Sequence, residues 1–244
     1  MIQKKTQNIN DIFLTAEWRK LMMVNYVVDP QTLKKYVPGK TELDTWNGQC
    51  FISLVAFMFI NTKVKGCRIP FHGDFEEVNL RFYVRYKDGH QWKRGVVFIR
   101  EFVPLPMVTV VANTLYQERY RTIPMKHKWT SDFNRIHVEY KWKRKEWHSV
   151  SVECSNQPTP IVPESEMEFI TQHFWGYSQK QGYTSEYRVD HEPWHAYEMR
   201  ENAIHVNYAE CYGSEFGFID ALSPHSIYLA EGSPITVFRD RRIG

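Results

Sequence analysis

The stretch FEEVNLRFYVRY, Phe75 to Tyr86, limits what this chain can fold into more than any other. Val78, Leu80, Phe82, Val84 and Tyr86 alternate with Glu77, Asn79, Arg81, Tyr83 and Arg85. A period of two puts unlike chemistry on the two faces of one strand. RGVVFIREF, IHVEYKW, SVSVECS, SEYRVDHE, AIHVNYAE and SPITVFRD supply six more short strands, broken by turn chemistry such as KDGH and KRKE. Helices are fewer. One covers Pro30 to Tyr36 behind a capping Asp29, one runs from about Pro106 through MVTVVANTLYQ, and one occupies MEFITQHFWGY after the proline-rich NQPTPIVPESE. Many strands and few helices predict a barrel or sandwich with helices outside it.

The polar row on the Glu77 strand then faces either water or a polar cavity. Facing water, Glu77, Arg81 and Arg85 form an ordinary surface charge ladder. Composition permits the cavity: of 244 residues 43% are apolar and 15% aromatic, enough for a large core and a ring-lined hollow. That length suits one domain spanning residues 1–244, since no stretch reads as a linker. The formal charge of +3 is a small difference between 31 basic and 28 acidic residues and points to no nucleic-acid partner. Cys50, Cys67, Cys154 and Cys211 form no C-x-x-C pair, so they read as reduced, small apolar side chains. MIQKKTQNINDIF lacks the apolar core of a secretion signal, and CFISLVAFMFI is too short to span a bilayer as a helix. A cytoplasmic location without membrane association is the expectation.

Several longer segments resemble a known family: EWRKLMMVNYVVDPQTLKKYVPGKTELDTWNG, DFEEVNLRFYV, RGVVFIREFVP, YRTIPMKH and PHSIYLAEGSP. Together they resemble the YqjF-like proteins, a bacterial family of uncharacterised function within the acetoacetate decarboxylase-like superfamily, from about Phe13 to Val237. The resemblance implies a mainly β (α+β) fold, a cone-shaped, mostly antiparallel β barrel with a few peripheral helices and the active site inside. In the decarboxylases an arginine stands seven residues before an aromatic residue in the first strand, followed by a helix ending at V-P; Arg19, Tyr26 and Val37-Pro38 match. A glutamate opening another strand matches Glu77 of Phe75-Glu76-Glu77. A proline and two lysines, the first forming a Schiff base with the substrate, correspond here to Pro124-Met125-Lys126.

Met125 therefore stands where the resemblance puts the Schiff-base amine, and a thioether cannot form a carbinolamine with a ketone. Lys126 follows it, but successive side chains on an extended segment point to opposite faces unless a bulge intervenes. What remains is a small-molecule-binding barrel acting, if it is an enzyme, by acid–base chemistry. Arg19 and Lys126 are the expected anion contacts, Glu77 the carboxyl that orients ligand or moves a proton, and Tyr83 a hydrogen-bond donor, with Arg81 and Met125 beside them. The expected partner is a small organic acid or carbonyl compound, with no cofactor; self-association is left open. Two alternatives stand: a decarboxylase or lyase using Lys126 as its nucleophile, and a non-catalytic interaction domain with a filled barrel.

Other motifs carry less. HEPWH, His191 to His195, matches H-E-x-x-H, but Pro193 opposes the helix that a zinc site of this kind needs, so no metal is expected. GSEFG is not a nucleophile elbow, His225-Ser226 diverge on a strand, and no glycine-rich phosphate loop occurs. KWKRKEW reads as a charged hairpin tip rather than a nucleic-acid surface, with Trp142 and Trp147 packed on the sheet.

Overall fold

Strand β1 (Ile12–Val28) carries both the alternation and its one decisive interruption. A computed structural model describes residues 11–115 and 118–243. Leu14, Ala16 and Trp18 face one side of β1; beyond Lys20, Leu21 and Met23 face that same side. Lys20 is the extra residue, with φ 54°, and the pairing register shifts between Arg19 and Met22. Opposite it, Gly232 pairs with Arg19 at φ 84°, where a Cβ would come within 1.9 Å of the Trp18 carbonyl oxygen. Only glycine fits that approach. The Lys20 carbonyl freed by the bulge accepts a hydrogen bond from Tyr140 Oη at 2.9 Å.

The remaining strands are β2 (Thr41–Leu43), β3 (Cys50–Val64), β4 (Cys67–Arg68), β5 (Phe75–Asp88), β6 (Gln91–Val103) and β7 (Tyr120–Thr122). They continue with β8 (Met125–Ser131), β9 (Arg135–Lys143), β10 (Trp147–Ser155), β11 (Thr159–Pro160), β12 (Trp175–Lys180) and β13 (Tyr183–His191). Last come β14 (His195–Tyr197), β15 (Met199–His205), β16 (Ser226–Phe238) and β17 (Arg241–Ile243). Pairing runs β16–β1–β3–β5–β6–β12–β13 and returns to β16 through Val189↔Val237, Asp190↔Thr236 and His191↔Ile235. The strands thus close a ring, which removes the exposed edges that an open sheet leaves. Neighbours in the ring are antiparallel except β6 and β12. A second antiparallel sheet, ordered β15–β10–β9–β8, covers part of the outside.

Two cores result. Outside the ring, Met22, Val24, Leu54, Leu80 and Phe82 meet Val138, Tyr140, Trp142, Val150 and Val152 of the second sheet. Inside it, Leu21, Met23, Val55, Phe57, Phe75 and Tyr83 form a separate cluster. Burying each large side chain contributes roughly 1.5–3 kcal/mol, and β5 contributes to both cores because its faces differ.

The helices are short. Asp29 accepts from the Gln31 backbone N–H at 2.9 Å to start α1 (Pro30–Leu33), and a single 3-10 turn continues to Tyr36. Helix α2 (Pro106–Leu115) lies across one end of the ring; Tyr116 and Gln117, which the sequence reading gave to it, lie outside the described residues, as does most of the N-terminal segment read for a secretion signal. The expected helix over MEFITQHFWGY stops early: α3 (Glu166–Thr171) ends and β12 begins at Trp175, the strand that bridges β6 and β13 to complete the ring. AIHVNYAE is likewise divided, because Asn207 accepts from the Glu210 N–H at 2.8 Å and starts α4 (Tyr208–Tyr212). Trp142 is buried as expected, whereas Trp147 is 43% exposed at the hairpin tip. No helix among the described residues is long and apolar enough to cross a membrane.

Candidate functional site

The ring is not filled. Its interior holds a cavity of about 200 Å³, walled by Trp18, Phe57, Phe59, Phe98, Trp175 and Trp194 and capped by Ile69, Met107 and Val111. The caps come from the segment after β4 and from α2, so these elements cover the mouth. Into the aromatic wall β5 projects Glu77, Asn79 and Arg81, one beneath the next on the inner face. β6 adds Glu101, which pairs directly across from Asn79, and β7 adds Tyr120, across from Glu101.

Glu77 is the centre of this group. Its Oε1 accepts from Asn79 Nδ2 and its Oε2 from Tyr120 Oη, both at 2.9 Å. Burial pushes its carboxyl up to about 7, against the opposing effects of these two hydrogen bonds and the Arg81 charge. Glu101 is held well above the usual carboxylate range by burial and by the charges of Glu118 and Glu77. Glu118 rises to about 8 for the same first reason, with Lys180 opposing. Three buried carboxyl groups that raise one another cannot all ionise, so the cluster retains protons in neutral solution and is able to donate hydrogen bonds.

Arg81 differs from its neighbours. It is 8% exposed, its Nη2 reaches only the Ile170 carbonyl at 3.4 Å, and its Nε has no hydrogen-bond partner among the described residues. It forms no ion pair among them either, although a buried guanidinium ordinarily has one. Further unpartnered buried atoms belong to residues that line the same cavity: Asn79 Oδ1, Glu101 Oε2, Glu118 Oε1, Thr62 Oγ1, Trp18 Nε1 and His173 Nδ1. Such groups are costly unless something supplies their missing bonds. The cavity therefore pairs an apolar wall with a few polar side chains, the usual composition of a small-molecule site.

The residues that sequence analysis singled out separate into two groups. Glu77 and Arg81 line the cavity. Tyr83 lies one step deeper on the same face, its hydroxyl 2.7 Å from Ser53 Oγ and its ring 5.7 Å from the Arg81 guanidinium, so it supports Arg81 from below. Arg19 is on the outer side of β1, with Nε 2.9 Å from Glu17 Oε2. Strict alternation would turn it inward with Leu21 and Met23; the bulge at Lys20 inverts that phase. Met125 and Lys126 belong to β8 of the second sheet, outside the ring. Met125 packs on the outer core, while the exposed Lys126 ammonium lies 5.2 Å from the centre of the Trp147 ring. The expected anion contacts Arg19 and Lys126 are thus corrected to outer positions, and no lysine lines the cavity among the described residues. HEPWH is extended rather than helical, with His191 stacked on Trp194 at 4.4 Å inside the ring and His195 exposed. Glu101, Glu118, Tyr120 and His173 were not anticipated. RGVVFIREF did carry a signal for Glu101, a carboxylate two residues from Ile99 on one side and from Val103 on the other; Glu118 and His173 follow helices and carried none.

A closed, cone-like ring with its polar group inside defines an acetoacetate decarboxylase-like barrel. Solved structures share the fold over almost the whole chain. Acetoacetate decarboxylase from Legionella pneumophila superposes with a TM-score of 0.63 at 12% identity, covering 100% of this chain and 93% of that one. An acetoacetate decarboxylase-like enzyme from Sphingomonas wittichii gives 0.64 at 11%, covering 100% and 98%. The enduracididine biosynthesis enzyme MppR complexed with pyruvate gives 0.62 at 11%, covering 99% and 93%. Within that fold the chain belongs to a family of uncharacterized conserved proteins, DUF2071, whose pattern matches residues 15–234. The uncharacterized protein YqjF of Bacillus subtilis is 27% identical over 223 residues, covering 89% of this chain and 84% of that protein.

Proposed function

We propose that the barrel binds a small organic acid bearing a carbonyl group and acts on it by acid–base chemistry rather than through a Schiff base. The observation that carries this reading is Arg81, a buried cation that lines the cavity and forms no ion pair among the described residues. A ligand carboxylate supplies that partner in the planar, two-pronged geometry a guanidinium favours. With the carboxylate on Arg81, the rest of the ligand lies beside the Glu77–Tyr120 pair, whose retained proton suits hydrogen bonding to a carbonyl oxygen. The absence of lysine among the described lining residues leaves Schiff-base decarboxylation without its nucleophile, and the open interior argues against an interaction domain with a filled barrel.

Pyruvate, bound by MppR, is the smallest compound of this kind; the aromatic walls here also suit an aryl group, since roughly 150 Å³ is enough to hold benzene. Calorimetric titration with pyruvate, with 3-phenyl-2-oxopropanoate and with the uncharged amide of the latter tests the reading. The acids are expected to bind and the amide not. Arg81→Met is expected to weaken the acids by about 2–5 kcal/mol, the usual cost of deleting one member of a buried charged pair. Equal affinity for acid and amide, or wild-type affinity in Arg81→Met, overturns it.

A further inference from the structure

A second proton-handling group borders the same cavity, held by residues far apart in the chain. His173, just past α3, has a side chain only 1% exposed; its Nε2 lies 3.3 Å from Asp44 Oδ2, and its Nδ1 has no partner among the described residues. Asp44 Oδ2 also accepts from Arg94 Nε at 2.6 Å. Burial pushes the Asp44 carboxyl up, but the His173 and Arg94 hydrogen bonds outweigh it and hold the group below the usual carboxylate range. An ionised carboxylate only accepts, so the imidazole proton belongs on Nε2 and Nδ1 keeps an in-plane lone pair. Burial draws His173 down to about 4 despite the Asp44 hydrogen bond, so the ring is neutral where the acid cluster still holds protons. The Tyr83 ring lies 4.7 Å from the His173 ring and 5.7 Å from the Arg81 guanidinium, and the Arg81 charge acts on His173 in the same direction as burial.

We propose that His173 is the base of a proton-transfer site that converts 2-oxo acids to their enols. The proposal rests on the reading of Arg81 as the carboxylate anchor. With the carboxylate on Arg81, His173 Nδ1 takes a proton from C3; the C3–H electron pair forms the C2=C3 bond, and the carbonyl π pair moves onto the C2 oxygen. That oxygen takes the carboxyl proton of Glu77, leaving an enol, an imidazolium and a carboxylate. Total charge is conserved, and proton exchange with solvent restores both groups. Asp44 is a positioning residue: it fixes the tautomer and orientation of the ring, and Arg94 fixes Asp44.

Proton NMR in D2O follows the step directly as loss of the C3 signal of 3-phenyl-2-oxopropanoate. The wild-type protein is expected to exchange C3 protons faster than buffer alone. His173→Gln is expected to slow exchange by about 100-fold or more, the usual weight of a general base, while calorimetric affinity changes little. Asp44→Asn is expected to slow exchange less, with affinity retained, so that rate and binding separate. Nitrogen-15 shifts of His173 in the unmodified protein give a check that needs no variant: protonation at Nε2 supports the proposal and protonation at Nδ1 overturns it. Binding without exchange, or wild-type exchange in His173→Gln, also overturns it and leaves the Arg81 reading intact. Failure of the acid to bind at all removes the anchor and both readings together.

Discussion

The two faces of β5 are built from alternate residues of one strand and do opposite things. On the outer face Val78, Leu80 and Phe82 are fully buried against the second sheet and carry no polar group. On the inner face Glu77, Asn79 and Arg81 are almost as buried, yet Asn79 and Arg81 retain atoms with no hydrogen-bond partner among the described residues. One face supplies packing; the other holds polarity against its own solvation cost. Burial alone therefore does not distinguish core from site in this barrel. Unsatisfied polarity does.

The contrast is sharpest where substitution reverses its sign. Leu80→Ala on the outer face is expected to cost about 2–5 kcal/mol of stability by denaturant titration, with ligand affinity of the folded protein unchanged. Arg81→Met, at the next residue on the inner face, is expected to leave stability unchanged or raise it by about 1–3 kcal/mol, because it removes a buried charge that forms no ion pair. A large loss of stability in Arg81→Met would break the distinction.

A pH series sharpens it further. Glu77 has its folded-state carboxyl raised to about 7 from an ordinary value of 4.5, so the folded form binds the extra proton between those values. Its contribution to stability is complete below about pH 4.5 and is lost as pH rises through 7. His173, drawn down to about 4, has the opposite sign: its share is lost as pH falls through 4. Glu77→Gln isolates the first effect. Over pH 4.5–7 the stability advantage of the variant relative to wild type is expected to grow with pH, measured by denaturant titration at each pH. An advantage independent of pH would place the proton elsewhere. The smallest effect belongs to Lys126→Ala, expected to change stability by no more than about 0.5 kcal/mol and ligand affinity not at all, since only a cation–π contact at an exposed site is removed.

Much of the frame was legible because alternation is a local property. FEEVNLRFYVRY revealed both its faces, and the six short strand segments each contain a strand, although AIHVNYAE gives its second half to α4. The Asn207 side chain, which accepts from the Glu210 N–H, starts the helix that follows that strand. The acidic position of Glu77 within a resemblance pointed to the right strand face, whereas Arg19 was assigned by the same rule and lies outside. The difference is Lys20, the extra residue beside the pairing of Arg19 with Gly232 more than two hundred positions away, and nothing adjacent to Arg19 announces it. Met125 and Lys126 were placed by resemblance at a barrel wall, but their segment pairs with β9 in the outer sheet. His173 was illegible for a different reason: its significance comes from Asp44, Arg94 and the neighbouring Tyr83, which the ring closure assembles from distant segments.

A crystal structure of the protein with 3-phenyl-2-oxopropanoate tests the functional assignment of the inner face most directly. Its carboxylate is expected on the Arg81 guanidinium, with the phenyl ring among the cavity aromatics and C3 turned toward His173 Nδ1. A ligand seated on the outer sheet beside Lys126, or one inside the ring with its carboxylate turned away from Arg81, would contradict it.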